Sequence, residues 1–211
     1  MHIHPGYYND LLAYLLAFMP MPLVFKPLLF MHLTKPVSYE VDTIVLRPGE
    51  IADMAYWSIE GYIRTFREYK PEEDREKLEQ KTIDISLPGK VWLPAKSFMN
   101  RTPVDYYLEV EKGSTFVGIG HSSFIAMGQA IPEVRMLANM VIAAAEADWH
   151  IKMDICRVFN KDGYLAFRQY FGGQVEQFIS QKHIASFMGT TPENLSRIRR
   201  EGGFGDKNFR G

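Results

Sequence analysis

An α+β fold follows from two contrasting textures of hydrophobic patterning in the 211 residues and from the punctuation between them. From Tyr39 onward, short runs rich in β-branched and aromatic residues recur: Thr43-Ile44-Val45-Leu46, Tyr62-Ile63-Arg64-Thr65-Phe66, Thr82-Ile83-Asp84-Ile85, Asp105 to Val110 and Thr115 to Ile119. Turn formers at Pro48-Gly49, Gly61, Pro88-Gly89 and Lys112-Gly113 separate them, which predicts an antiparallel barrel or sandwich. After His121 the apolar period becomes helical.

The segment from Tyr7 to Leu33 mixes apolar runs with prolines, so short helices are expected there rather than one long one. Its apolar stretch is broken by Pro20, Pro22, Lys26 and Pro27 and makes poor transmembrane material. The charged run from Glu68 to Lys81 reads as a solvated hairpin loop, with a partner-binding surface as the alternative. A long helix is expected from Pro132-Glu133 to about Arg157 or Val158, with Val134, Leu137, Val141, Trp149 and Ile155 among its apolar positions. Ala143, Ala144, Ala145 and Ala147 would let a second helix approach closely, either across a dimer seam or against the barrel. Shorter helices follow over Lys161 to Phe171, ended by Gly172-Gly173, and over Gln174 to Ile179. Residue texture thus divides the chain into 1–131, 132–158 and 159–211.

Composition narrows the function classes. Apolar residues are 46% and charged residues 23%, the balance of an ordinary globular chain. A single cysteine, Cys156, forms no intramolecular disulfide and completes no thiolate cluster, so a reducing cytoplasm is the expected setting, with no metal and no cofactor. The start lacks the basic region of a signal peptide. His2 and His4 form a His-x-His read as incidental. No Gly-x-Ser-x-Gly, phosphate-binding loop or paired-His metal motif is present, so an enzyme is not expected. Net charge is −1, and what matters is where the cations sit. From Gln181 onward come Lys182, His183, Arg197, Arg199, Arg200, Lys207 and Arg210, against Glu193, Glu201 and Asp206.

That cationic stretch has the spacing of two helices joined by a turn. Ser180 can cap the first. Ile184 and Met188 lie four apart, Leu195 and Ile198 three apart, so each helix offers an apolar ridge to the other. Ala185 is small where they would cross, and Gly189 stands at a turn that needs a left-handed backbone. Thr191-Pro192-Glu193 restarts a helix with a cap, a proline at the first helical position and an acid at the positive end. Pro192, Glu193, Ser196, Arg197 and Arg200 would face outward. Arginine gives bidentate contacts to guanine and glutamate accepts from cytosine, whereas Lys182, Arg199 and Arg200 suit phosphate. A generic helical hairpin with a solvated basic face has the same spacing.

The segment Ile184 to Arg199 resembles the DNA-binding signature of the Crp/Fnr family of bacterial regulators, particularly of its Bacteroidetes branch. The order of parts is similar across nearly the whole chain. Leu46-Arg47-Pro48-Gly49-Glu50 and Glu60-Gly61-Tyr62-Ile63-Arg64 resemble two glycine turns of the family's N-terminal β-roll. The resemblance implies a cyclic-nucleotide-binding-like antiparallel β-roll (a double-stranded β-helix) as sensor, a dimerisation helix and a C-terminal helix-turn-helix. It places base reading on Glu193 and Arg197, with Thr191, Pro192 and Ser196 beside them. It also implies a homodimer on double-stranded DNA, with RNA polymerase and a small-molecule effector as further partners.

The chain departs from that pattern where cyclic AMP would bind. A phosphate needs backbone donors and a guanidinium, and a ribose a carboxylate acceptor. Leu93-Pro94 occupies the family's Gly-Glu place and Val104-Asp105 its Arg place, so cyclic AMP is not the expected effector. Arg101 is the one nearby candidate for an anionic ligand, with a solvent-facing loop arginine as the alternative. Only residues 202–211 follow the second helix, so a β-hairpin wing is expected to be short or absent, with Lys207 and Arg210 available to phosphate. The alternative function is a ligand-sensing or protein-interaction module of this fold without DNA binding.

Overall fold

The computed structural model describes residues 6–72, 76–157 and 159–203. The expectations for His2, His4, Lys207, Arg210 and a wing lie outside them. Two short helices open the chain, α1 (Gly6–Leu16) and α2 (Phe25–His32), separated at the proline-rich bend as expected. Eight strands follow: β1 (Val37–Ser38), β2 (Thr43–Leu46), β3 (Met54–Glu60), β4 (Ile63–Tyr69), β5 (Glu79–Ile85), β6 (Val91–Trp92), β7 (Tyr107–Val110) and β8 (Thr115–Gly120), with a short helix α3 (Ala95–Asn100) between β6 and β7. The described residues after β8 are mainly helical: α4 (His121–Ala130), α5 (Glu133–Arg157), α6 (Lys161–Phe171), α7 (Val175–Phe178), α8 (Gln181–Phe187) and α9 (Pro192–Glu201).

The strands form two four-stranded antiparallel sheets, ordered β1-β8-β3-β6 and β2-β7-β4-β5. The chain passes from the first sheet to the second between β3 and β4 through Gly61, at φ +84°. A Cβ there would stand 2.1 Å from Ser114 Oγ, so both the backbone conformation and the close approach require glycine. Leu46, Ile63, Leu108, Val110 and Phe116 fill the space between the sheets. Strand alternation sends Trp57 and Val117 to the opposite face of the first sheet. There they meet Leu11 and Leu15 of α1, Phe25 and Leu29 of α2, and Val134, Leu137 and Val141 of α5.

A third core joins the helical C-terminal third to the roll. Tyr62 and Ile85 are buried together with Tyr164, Phe167, Phe171, Ile184, Leu195 and Ile198. The Tyr62 hydroxyl donates to the Phe171 carbonyl at 2.8 Å. On the edge strand β5, the Thr82 N–H donates to Ser186 Oγ of α8 at 3.0 Å, so α8 covers a strand edge that would otherwise be open. No helix among the described residues is long and apolar enough to cross a membrane.

Candidate nucleic-acid interface

The helix pair α8 and α9 is built from the bottom by its turn. Gly189 takes φ +68°. The Thr190 N–H reaches back to the Ala185 carbonyl at 2.9 Å and the Gly189 N–H to Ser186 at 3.3 Å, the hydrogen-bond pattern that closes a helix on a left-handed glycine. Thr191 caps α9, accepting from the Asn194 N–H at 3.2 Å, and Pro192 occupies the first turn. Ser180 holds the cap position of α8, but its side chain makes no cap bond, a departure from the sequence expectation. The crossing is fixed by a bond sequence reading did not foresee: Gln181 Nε2 donates to the Pro192 carbonyl at 2.8 Å and also meets Ser196 Oγ.

The two faces of α9 differ sharply. Leu195, Ile198 and Arg199 are buried. Glu193, Arg197 and Arg200, at steps of four and three residues, are exposed along the opposite side, and Thr191 is exposed at the start. Pro192 and Ser196 are half-buried at the edge of that face. The Arg197 side chain retains 57% exposure and is held at both ends, by Asn194 Oδ1 at 2.7 Å and by Glu201 Oε1 at 2.9 Å. Asn194 in turn donates to Thr190 Oγ1 at 2.9 Å, so the guanidinium is anchored through Asn194 to the turn itself. The Glu193 carboxylate accepts from its own backbone N–H and from the Thr191 hydroxyl, which holds its carboxyl below the usual range. Lys182 is exposed on α8.

Arg199 corrects the sequence expectation of a phosphate contact. Its side chain is 1% exposed, Nε donates to the Tyr164 hydroxyl at 3.0 Å, and Nη2 lies 3.5 Å from Glu176 Oε2, itself 1% exposed. Tyr164 also bonds Glu176, and Arg168 Nε stands 3.6 Å from Oε1 of the same carboxylate. Burial and the Glu176 bond both push the Tyr164 hydroxyl well above its ordinary range. The physical reason was present in the sequence: position 199 is four residues beyond Leu195 and one beyond Ile198, within the apolar stripe of an amphipathic helix. Counting that stripe would have turned Arg199 inward.

Arg101 is likewise committed. It ends α3 in a left-handed conformation at φ 56°, donates Nη1 to the Ala52 carbonyl at 2.8 Å and pairs with Asp53. Its guanidinium joins α3 to the segment before β3.

No protein-family model matches the chain, and no curated protein sequence does. Solved structures match over most of its length. A candidate cAMP-binding regulatory protein from Silicibacter pomeroyi superposes with a TM-score of 0.64 at 15% identity, over 96% of this chain and 90% of that one. A candidate transcriptional regulator of the Crp/Fnr family from Eubacterium rectale gives 0.61 at 16% identity, over 89% and 88%. The c-di-GMP-responsive global regulator CLP of Xanthomonas campestris gives 0.58 at 13%, over 85% and 91%. Identities this low speak of fold, and on fold the matches agree: the chain shares the β-roll and helical architecture of these solved proteins.

Proposed function

We propose that the protein is a homodimeric, sequence-specific DNA-binding transcription regulator whose reading helix is α9. The observation that carries the reading is the outward face of that helix: Glu193 and Arg197 one turn apart, exposed, on a helix seated by a capped glycine turn. A helix of this width enters the major groove, where an arginine pairs bidentately with guanine. Arg200 and Lys182 flank the face and suit phosphate, which orients a protein on DNA without reading sequence. The regulators that share the fold support the assignment.

Dimerisation belongs to α5. Met136, Met140, Ala143, Ala147 and Ile151 are exposed at steps of four, three, four and four residues, one apolar stripe on the side away from the roll. Spacing of this kind makes the seam of a helix pair, and the alanines permit close approach. On this reading residues 1–131 form the sensor, 132–158 the dimer helix and 159–211 the DNA-binding part. On this reading cyclic AMP is not the expected effector, because Leu93-Pro94 stands where the ribose-binding glutamate would and Val104-Asp105 where the phosphate-binding arginine would, and Arg101 pairs with Asp53.

The test is a gel shift on a selected operator. Arg197→Ala is expected to cost about 1–3 kcal/mol of discrimination at one base-pair position per half-site, with dimer and fold intact. Undiminished selectivity would favour a sensing or protein-interaction role without base reading.

A further inference from the structure

Two cavities adjoin at β6. The first, about 110 Å³, lies between β3 and β8 on one side and α1, α2, α4 and α5 on the other. No charged side chain lines it; its walls include Leu11, Leu29, Trp57, Val117, Met127 and Leu137. The second, about 320 Å³, has Tyr14, Phe18, Trp92 and Trp149 in its walls together with four charged groups, Asp84, Lys90, Asp148 and Lys152. Val91 and Leu93 line both.

The charged wall is built rather than incidental. Lys152 is 5% exposed, with Nζ 2.9 Å from Asp84 Oδ1 and 3.4 Å from Asp148 Oδ2. Lys90 and the Tyr170 hydroxyl both reach Asp148 Oδ1. Two ammonium groups and two carboxylates sum to zero. An anion brought here faces Asp84 and Asp148, a cation faces Lys90 and Lys152, and a neutral hydrogen-bonding group finds preset donors and acceptors. Protein cores are close-packed, and an apolar cavity somewhat larger than the first stays dry and takes up benzene.

We propose that the two cavities form one bipartite site for an uncharged amphiphile, with a short alkyl group in the apolar cavity and a hydrogen-bonding head against Lys90 and Asp148. The occupant touches the parts that would transmit its presence. Asp148 and Lys152 belong to α5 and Tyr170 to α6, so the head sits where the proposed sensor, dimer helix and DNA-binding part meet.

All three tryptophans of the chain line the two cavities, which makes intrinsic fluorescence of the whole protein the readout. Titrating n-butanol, n-hexanol and n-octanol is expected to give saturable curves. Affinity should rise about fourfold per methylene until the apolar cavity is full and then level off. At neutral pH n-hexanol should bind better than hexanoate or hexylammonium. Ala138→Phe, in the wall of the apolar cavity, should weaken n-hexanol binding by about tenfold or more with the circular dichroism spectrum unchanged. Lys90→Met leaves the wall net negative and should shift the preference to hexylammonium. Linear, unsaturated responses, or binding indifferent to head-group charge in the unaltered protein, would overturn the site even if the Ala138 variant fails to fold. No DNA is present, so this outcome and that of the operator test are independent.

Discussion

Arg199 and Arg200 are neighbours in sequence and opposites in environment. Removing Arg199 takes the more deeply buried of two cations from the Glu176 carboxylate, leaving it Arg168 and the Tyr164 hydroxyl, so Arg199→Ala is expected to destabilise the protein by about 3 kcal/mol in urea denaturation. Arg200 is exposed, and Arg200→Ala should change stability by less than about 0.5 kcal/mol while weakening DNA binding uniformly across sequences. Equal stabilities of the two variants would contradict the geometry of α9. Cys156 gives a second residue-level test. Burial, helped by the charge of Asp84, pushes its thiol up to about 11. The thiolate is the reactive form, so at pH 8 alkylation in the native protein should be about a hundredfold slower than in urea. The native rate should climb as pH approaches the raised value, and a native rate matching the unfolded one would show the thiol to be solvent-exposed.

Among the elements, α5 divides its alanines between two faces. Its alanines suited either a dimer seam or contact with the barrel. Val134, Leu137 and Val141 lie against the roll, and Ala144 and Ala145 line a cavity shared with β6, while Ala143 and Ala147 remain exposed on the face of the proposed seam. Ala147→Glu places a charge in the proposed seam and should yield a monomer by analytical ultracentrifugation, whereas a dimer of unchanged strength would move the interface elsewhere. The ends of α5, α6 and α9 were legible because proline, glycine and capping residues mark them. Strand β2 was legible from its β-branched run. Strand β3 was not, because Met54 to Glu60 serves two cores, buries side chains on both faces and shows no polar alternation. Helix α3, six residues long, is too short to display a period. Within the candidate interface, Glu193, Arg197 and Arg200 were legible as an outward face. Arg199 was misplaced because its charge was weighed above its position on the helix, and Gln181 was missed because a crossing bond between two helices leaves no mark in either one's spacing.

At the level of the whole molecule, two of the three cores connect what the sequence suggested were successive parts. Tyr62 and Ile85 of the roll are buried among the helices that carry α9, and Ser186 of α8 bonds the edge strand β5. Helix α9 is therefore seated on the roll rather than tethered to it, and its orientation depends on the contacts of the roll with α6 and α8. Two such helices, related by the α5 seam, would reach successive major grooves on one side of a duplex. Selection from a random-sequence DNA library with the unaltered protein, followed by sequencing, examines this arrangement in a single experiment. An inverted repeat should emerge, its half-sites centred about 34 Å apart, with a guanine-bearing position in each that loses its enrichment when Arg197→Ala is used instead. Recovery of no preferred sequence, or of the same sequences with the Arg197 variant, would contradict base reading by α9.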